Sequence, residues 1–188
     1  MKIGIFIGRM QPLHLGHQKI IEKSIKSNDF TFIFLGSSGI INEYNPFTDS
    51  ERKKFITNIF SNKEKYKLIN LADSESDELW LKEIEKKVKQ NTKQDIKKVT
   101  FYGGDFENDY AIKVVKQYLN ILDFKEILFE EINRHNIYIN HNGEKILISS
   151  TQVRKSLSSK DYEILKKLLD DRIYEILIKK IKSHSEIL

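Results

Sequence analysis

Five short apolar runs, Lys2–Gly8, Phe30–Gly36, Tyr66–Leu71, Lys98–Tyr102 and Glu126–Glu131, recur along the chain with amphipathic segments between them. This alternation constrains the fold more than any other feature. Parallel strands need a crossover of a dozen or so residues, usually a helix, whereas antiparallel neighbours need only a turn. The intervening segments have helical length and spacing: Leu15–Ser27, a segment opened by Thr48 that carries Phe55, Ile56, Ile59 and Phe60 inward, Glu78–Gln90, and Asp109–Leu119. Thr48 and Glu51 stand three apart, as in a capping box, and set the start of the second helix. Two further short strands, Ile137–Ile139 and Lys145–Ile148, are joined through Asn142-Gly143, a hairpin turn signal. From about residue 151 the chain reads as helical, with a break near Ser158-Ser159. The expectation is one α/β domain over residues 1–188, a doubly wound parallel sheet with a helical C-terminal tail.

Composition narrows the class. The chain has no cysteine, which excludes disulfides and thiolate metal sites and fits a cytoplasmic location. No apolar run has the length of a membrane span, so no membrane partner is expected. Many lysines behind the net charge of +5 lie among glutamates on helix faces, so the charge is weak support for nucleic-acid binding, no nucleic-acid partner is expected, and a phosphate-bearing small-molecule substrate is compatible with it.

The stretch Gly8-Arg9-Met10-Gln11-Pro12-Leu13-His14-Leu15-Gly16-His17 follows the first strand and opens the first helix. In an open parallel sheet, ligands gather beyond the carboxyl ends of the strands, where the strand order reverses. Gly8 permits close backbone approach, and His14 and His17 share a helix face near an N-terminus that favours anions. As a zinc pair they lack a third ligand, because His135, His141 and His184 sit in no spacing to supply one. The blander alternative is a polar helix start with two incidental histidines.

The string resembles the His-x-Gly-His signature of the nucleotidyltransferase superfamily, in the form found in archaeal-type nicotinamide mononucleotide adenylyltransferases. Asn45-Pro46-Phe47-Thr48 with Glu51-Arg52 is similar to a second element of that family, and Ile148-Ser149-Ser150-Thr151-Gln152-Val153-Arg154 to its late phosphate motif. Trp80, the only tryptophan, follows the third strand, where the family stacks a tryptophan on the nicotinamide ring; a core role beside Ile84 and Val88 is the alternative. Phe106-Glu107-Asn108-Asp109 departs from the family pattern, and Met10 and Leu13 stand where phenylalanines are common.

The resemblance implies a Rossmann-like nucleotidyltransferase fold and adenylyl transfer from ATP to nicotinamide mononucleotide, giving NAD and pyrophosphate without a covalent intermediate. It implies catalytic roles for His14, His17 and Arg154. Gly8, Arg9, Gln11, Gly103, Ser149 and Thr151 are then expected to contact ATP or acceptor, Arg52 the acceptor phosphate, and Trp80 the nicotinamide. Mg²⁺ is expected to arrive on the ATP phosphates, with no metal held by the protein alone. Other acceptors within the superfamily (nicotinic acid mononucleotide, phosphopantetheine, phosphorylated alcohols) or a silent nucleotide sensor are the alternatives. A homo-oligomer is compatible with the apolar positions of Ile173–Ile181, which can pack either internally or between subunits.

Overall fold

A computed structural model describes residues 1–132 and 137–185, the side chains through residue 181. Among these residues five strands, β1 (Lys2–Gly8), β2 (Phe30–Leu35), β3 (Tyr66–Asn70), β4 (Lys98–Gly103) and β5 (Ile127–Glu131), form one sheet of order β3-β2-β1-β4-β5. Every neighbouring pair in it is parallel. The crossover helices are α1 (Leu15–Ser27), α2 (Asp49–Ile59), α3 (Asp77–Gln90) and α4 (Tyr110–Gln117). A separate antiparallel hairpin, β6 (Tyr138–His141) and β7 (Glu144–Leu147), precedes α5 (Ser150–Ser158), α6 (Tyr162–Leu168) and α7 (Asp171–Ser185). Its turn places Asn142 and Gly143 at φ 50° and 83°, the pair of positive angles that a two-residue type I′ turn requires.

The strands read as near-continuous apolar runs because the sheet is covered on both faces. Ile3, Ile5 and Ile7 of β1, with Phe32 and Phe34 of β2, pack under Leu81, Ile84 and Val88 of α3 and Ile112 and Val115 of α4. Phe6, Ile33 and Leu35 point the other way, into a core shared with Ile20 and Ile21 of α1 and Phe55 and Ile56 of α2. Successive side chains on a strand face opposite sides, so the same run feeds both layers.

The second layer also takes in the C-terminal helices. Val153, Leu165, Leu168, Ile173 and Leu177 join the α1–α2 core, so the tail is packed into the body rather than appended to it. The apolar positions of α7 thus pack internally: Ile173 and Leu177 are buried, with Tyr174, Ile176 and Ile178 partly so. The tail breaks twice, at Ser159-Lys160 as expected and again at Leu169-Asp170, where the Asp170 carboxylate accepts from the Arg172 backbone N–H. Helix α1 lies close on β1 at Gly4. A Cβ there would sit 2.1 Å from Ser24 Oγ and 2.7 Å from Asn28 Nδ2, which itself donates to Tyr102 Oη at 2.9 Å. No helix of the described residues is long and apolar enough to cross a membrane.

The chain runs β1 to β3 towards one edge, then returns past β1 to place β4 on its other side. The strand order therefore reverses between β1 and β4, and the loops leaving their carboxyl ends diverge there.

Candidate active site

The loop from Gly8 to His14 leaves β1 at this switch point, and three residues far away in sequence pin it. Gln11 is buried, accepts from the Phe47 backbone N–H at 2.9 Å and donates to the Phe47 carbonyl at 3.0 Å. Arg154 Nη1 donates to the Gln11 carbonyl at 3.1 Å. Arg52, with no solvent exposure, donates through Nη1 to the carbonyls of Arg9 (2.7 Å) and Gly36 (2.8 Å), and through Nη2 to Asp49 at 2.5 Å. Asp49 also accepts from Ser38 and from Asn70 Nδ2. Burial pushes its carboxyl up, but the bonds from Ser38 and Arg52 outweigh that and hold it below the usual carboxylate range.

His14 is the N-cap of α1. Its Nδ1 accepts from the backbone N–H groups of Gly16 (3.1 Å) and His17 (3.3 Å), and its ring stacks on that of His17 at 3.8 Å. His17 is thereby held one turn into the helix, where it reaches a cavity of about 740 Å³. That volume lies within the range of small-molecule sites, roughly 300–1,000 Å³.

The cavity straddles the carboxyl edge of the sheet, and its two banks come from opposite helical layers. On the α1–α5 side stand Gly8, Arg9, Gln11, His17, Ser149, Thr151 and Arg154. Ser149 caps α5 by accepting from the Gln152 backbone N–H at 3.1 Å, which leaves the first turn of a nine-residue helix facing the cavity. Burial first, and then the charge of neighbouring Arg9, push the Arg154 pKa down. Two guanidinium groups in such proximity favour an anion between them, which would relieve their repulsion and use their fixed forks of donors.

The other bank is built by α3, α4 and the segments before them: Asp73, Ser76, Asp77, Trp80, Asn108 and Tyr110. Trp80 both lines the cavity and packs on the α3–α4 core. The Tyr110 ring lies 6.4 Å from it at 55°.

The structure therefore gathers eight of the eleven expected residues around one cavity and gives three a different place. His14, almost wholly buried, does not line it and instead caps α1 and supports the His17 ring. Arg52, expected on the acceptor phosphate, is enclosed by Arg9, Gly36 and Asp49 and braces the loop from behind. Gly103 is packed rather than exposed to a ligand. A Cβ there would meet Ile112 Cγ1 at 2.7 Å, and it is Gly104 that lines the cavity. His135 and the side chain of His184 lie outside the described residues, while His141 Nδ1 sits 3.3 Å from Lys167 Nζ on the hairpin.

Residues missed by sequence reasoning are Asp73, Asp77 and Tyr110. Ser76, which caps α3 by accepting from Leu79 N–H at 3.2 Å, was the available signal that the helix starts one residue before Glu78. Nothing local signals that Tyr110, on a different crossover, meets Asp77.

The nicotinamide-nucleotide adenylyltransferase of Pyrococcus furiosus is 35% identical over 94 residues, covering 47% of this chain and 50% of that protein. The enzyme of the same name from Thermoplasma volcanium is 34% identical over 82 residues, 42% and 46% of the two chains. The chain thus spans about half the length of the curated relatives it matches. A bifunctional NMN adenylyltransferase/ADP ribose pyrophosphatase from Francisella tularensis shares the fold, with a TM-score of 0.63 at 20% identity over 98% of this chain and 54% of that one. It has also been solved complexed with AMP and a manganese ion. The family model described as cytidylyltransferase-like matches residues 5–156, which takes in the second half of the first strand, His14 and His17 and the late Ser-Ser-Thr motif: the chain belongs to the cytidylyltransferase-like family.

Proposed function

We propose that the chain transfers the adenylyl group of ATP to nicotinamide mononucleotide, releasing pyrophosphate and forming NAD. The observation that carries this reading is the pairing, across one switch-point cavity, of a bank of nitrogen donors (Arg9, His17, Arg154) with an aromatic one (Trp80, Tyr110). One bank suits a polyphosphate, the other a flat pyridinium ring. The names of the Pyrococcus and Thermoplasma relatives support the same substrate pair.

The chemistry follows from the charges. A phosphate oxygen of the acceptor attacks the α-phosphorus of ATP in line; the new P–O bond forms as the bond to the β-phosphate oxygen breaks, and pyrophosphate departs. The attacking oxygen is already anionic, so no general base is needed, and the protein's work is alignment and neutralisation of charge. His17 donates to the α-phosphate region. Arg9, Arg154 and the first turn of α5 hold the β- and γ-phosphates. His14 acts through His17, as a positioning residue, and Arg52 through the loop it braces. Mg²⁺ would be carried by phosphate oxygens and water, where it would supply further charge neutralisation.

The test is a pyrophosphate-release panel in which ATP or CTP is paired in turn with nicotinamide mononucleotide, nicotinic acid mononucleotide, phosphopantetheine and glycerol phosphate. Release with ATP and nicotinamide mononucleotide is expected. Release confined to another pair would reassign the substrate, and none with any pair would favour the silent sensor.

A further inference from the structure

The aromatic bank carries charge that binding a nucleotide phosphate does not explain. Asp73 and Asp77 both line the cavity there, and each carboxylate accepts a side-chain hydrogen bond. Ser37 Oγ, at the carboxyl end of β2, donates to Asp73 at 3.1 Å. Tyr110 Oη, from the first turn of α4, donates to Asp77. Asp77 does not make the cap bond of α3, because Ser76 does. Asp109, also on this bank, caps α4 by accepting from Ile112 N–H at 3.3 Å. The charges are close enough to be felt at the Tyr110 hydroxyl, whose pKa is raised first by the bond to Asp77 and then by burial and the charges of Asp77 and Asp73. Trp80 and Tyr110 line the same cavity and offer aromatic surface there, Tyr110 bonding Asp77 itself.

Resting on the proposed adenylyl transfer, we infer that Asp77, braced by Tyr110 and seconded by Asp73, is a specificity determinant that selects an acceptor whose pyridinium carries a neutral amide over one whose pyridinium carries a carboxylate. The two acceptors share phosphate, ribose and cationic ring. They differ only at the ring substituent. A ring seated against Trp80 brings its positive charge towards Asp73 and Asp77, which is favourable for both. A carboxylate on that ring meets the same two anions in a partly hydrated site, where one like-charge contact weakens binding on the order of tenfold. An amide substituent instead offers an N–H donor to the same oxygens.

Trp80 fluorescence reads this directly, because the chain has a single tryptophan and it lies at the site. Titration with nicotinamide mononucleotide and with nicotinic acid mononucleotide, without ATP, gives two dissociation constants for the wild-type chain and for Asp77→Asn, Asp73→Asn and Tyr110→Phe. The wild type is expected to prefer the amide by about tenfold. Asp77→Asn should shrink that ratio to about threefold or less, mainly by tightening the carboxylate ligand, with Asp73→Asn and Tyr110→Phe moving it the same way by less. An unchanged ratio in Asp77→Asn and Asp73→Asn overturns the inference. So does an equal weakening of both ligands by Asp77→Asn, which would assign the carboxylate to the ribose or ring they share. Quenching by both ligands without preference overturns the selectivity alone and leaves adenylyl transfer standing, whereas quenching by neither overturns the acceptor class as well.

Discussion

Replacing Arg52 separates two accounts of the site. On the sequence alone, Arg52 would hold the acceptor phosphate, so Arg52→Ala would raise KM for the acceptor in a protein of ordinary stability. The structure makes it a brace: a fully buried guanidinium joined to two backbone carbonyls and to Asp49. Removing it strips the Arg9 and Gly36 carbonyls of a charged donor and leaves Asp49 without its cation. Asp49 keeps Ser38 and Asn70 as donors and is partly solvated, which softens the loss. Breaking one side of a buried ion pair costs about 3–5 kcal/mol, and that range applies here because the arginine side is completely desolvated. For a chain of this size the melting temperature should fall by roughly 10 °C. Denaturant unfolding and a thermal scan measure both quantities.

The pH dependence supplies a second readout. Asp49 has a folded-state pKa below its unfolded value, so its contribution is fully present above the unfolded pKa and is lost as the pH falls through the folded one. Without Arg52, burial raises the Asp49 pKa, and the acid-side loss from this group should shrink or reverse. A folded Arg52→Ala protein within 1 kcal/mol of the wild type, with an unchanged acid limb and a raised KM for acceptor, would refute the brace.

Three further substitutions test the remaining parts. His17→Ala should lower kcat by about 10²–10³ with the melting temperature little changed, since it removes a donor at the developing phosphoryl charge; near-wild-type turnover by a folded variant would take His17 out of the site. Gln11→Ala removes both bonds to Phe47 from a buried position and should destabilise by about 2–4 kcal/mol, measured by urea unfolding, while loosening the loop that carries Arg9. Gly4→Ala would press a methyl group against Ser24 and Asn28 and should cost about 1–3 kcal/mol by the same measurement; a neutral result would mean that α1 can lift from β1 without loss.

The sequence by itself determined the alternation of strands and helices, because apolar periodicity and capping residues are local: the expected starts of β1, α1, β2 and β3 match the observed ones, and the Thr48–Glu51 capping box is present in full. It also singled out one bank of the cavity, since Gly8–His17 and Ile148–Arg154 are contiguous stretches that both contribute lining residues. What it left undecided depends on contacts between distant segments. Trp80 reads as either core or ligand until the cavity shows that its ring borders both. Arg52 reads as a phosphate ligand until the carbonyls of Arg9 and Gly36, 43 and 16 residues away, are seen to surround it. His14 and His17 look equivalent in the string, yet helix geometry turns one ring inward as a cap and the other to the cavity. Which side chains face the cavity, and the meeting of Asp77 with Tyr110 on its far bank, only the packing of the helices against the sheet decided, because those neighbours come from separate crossovers.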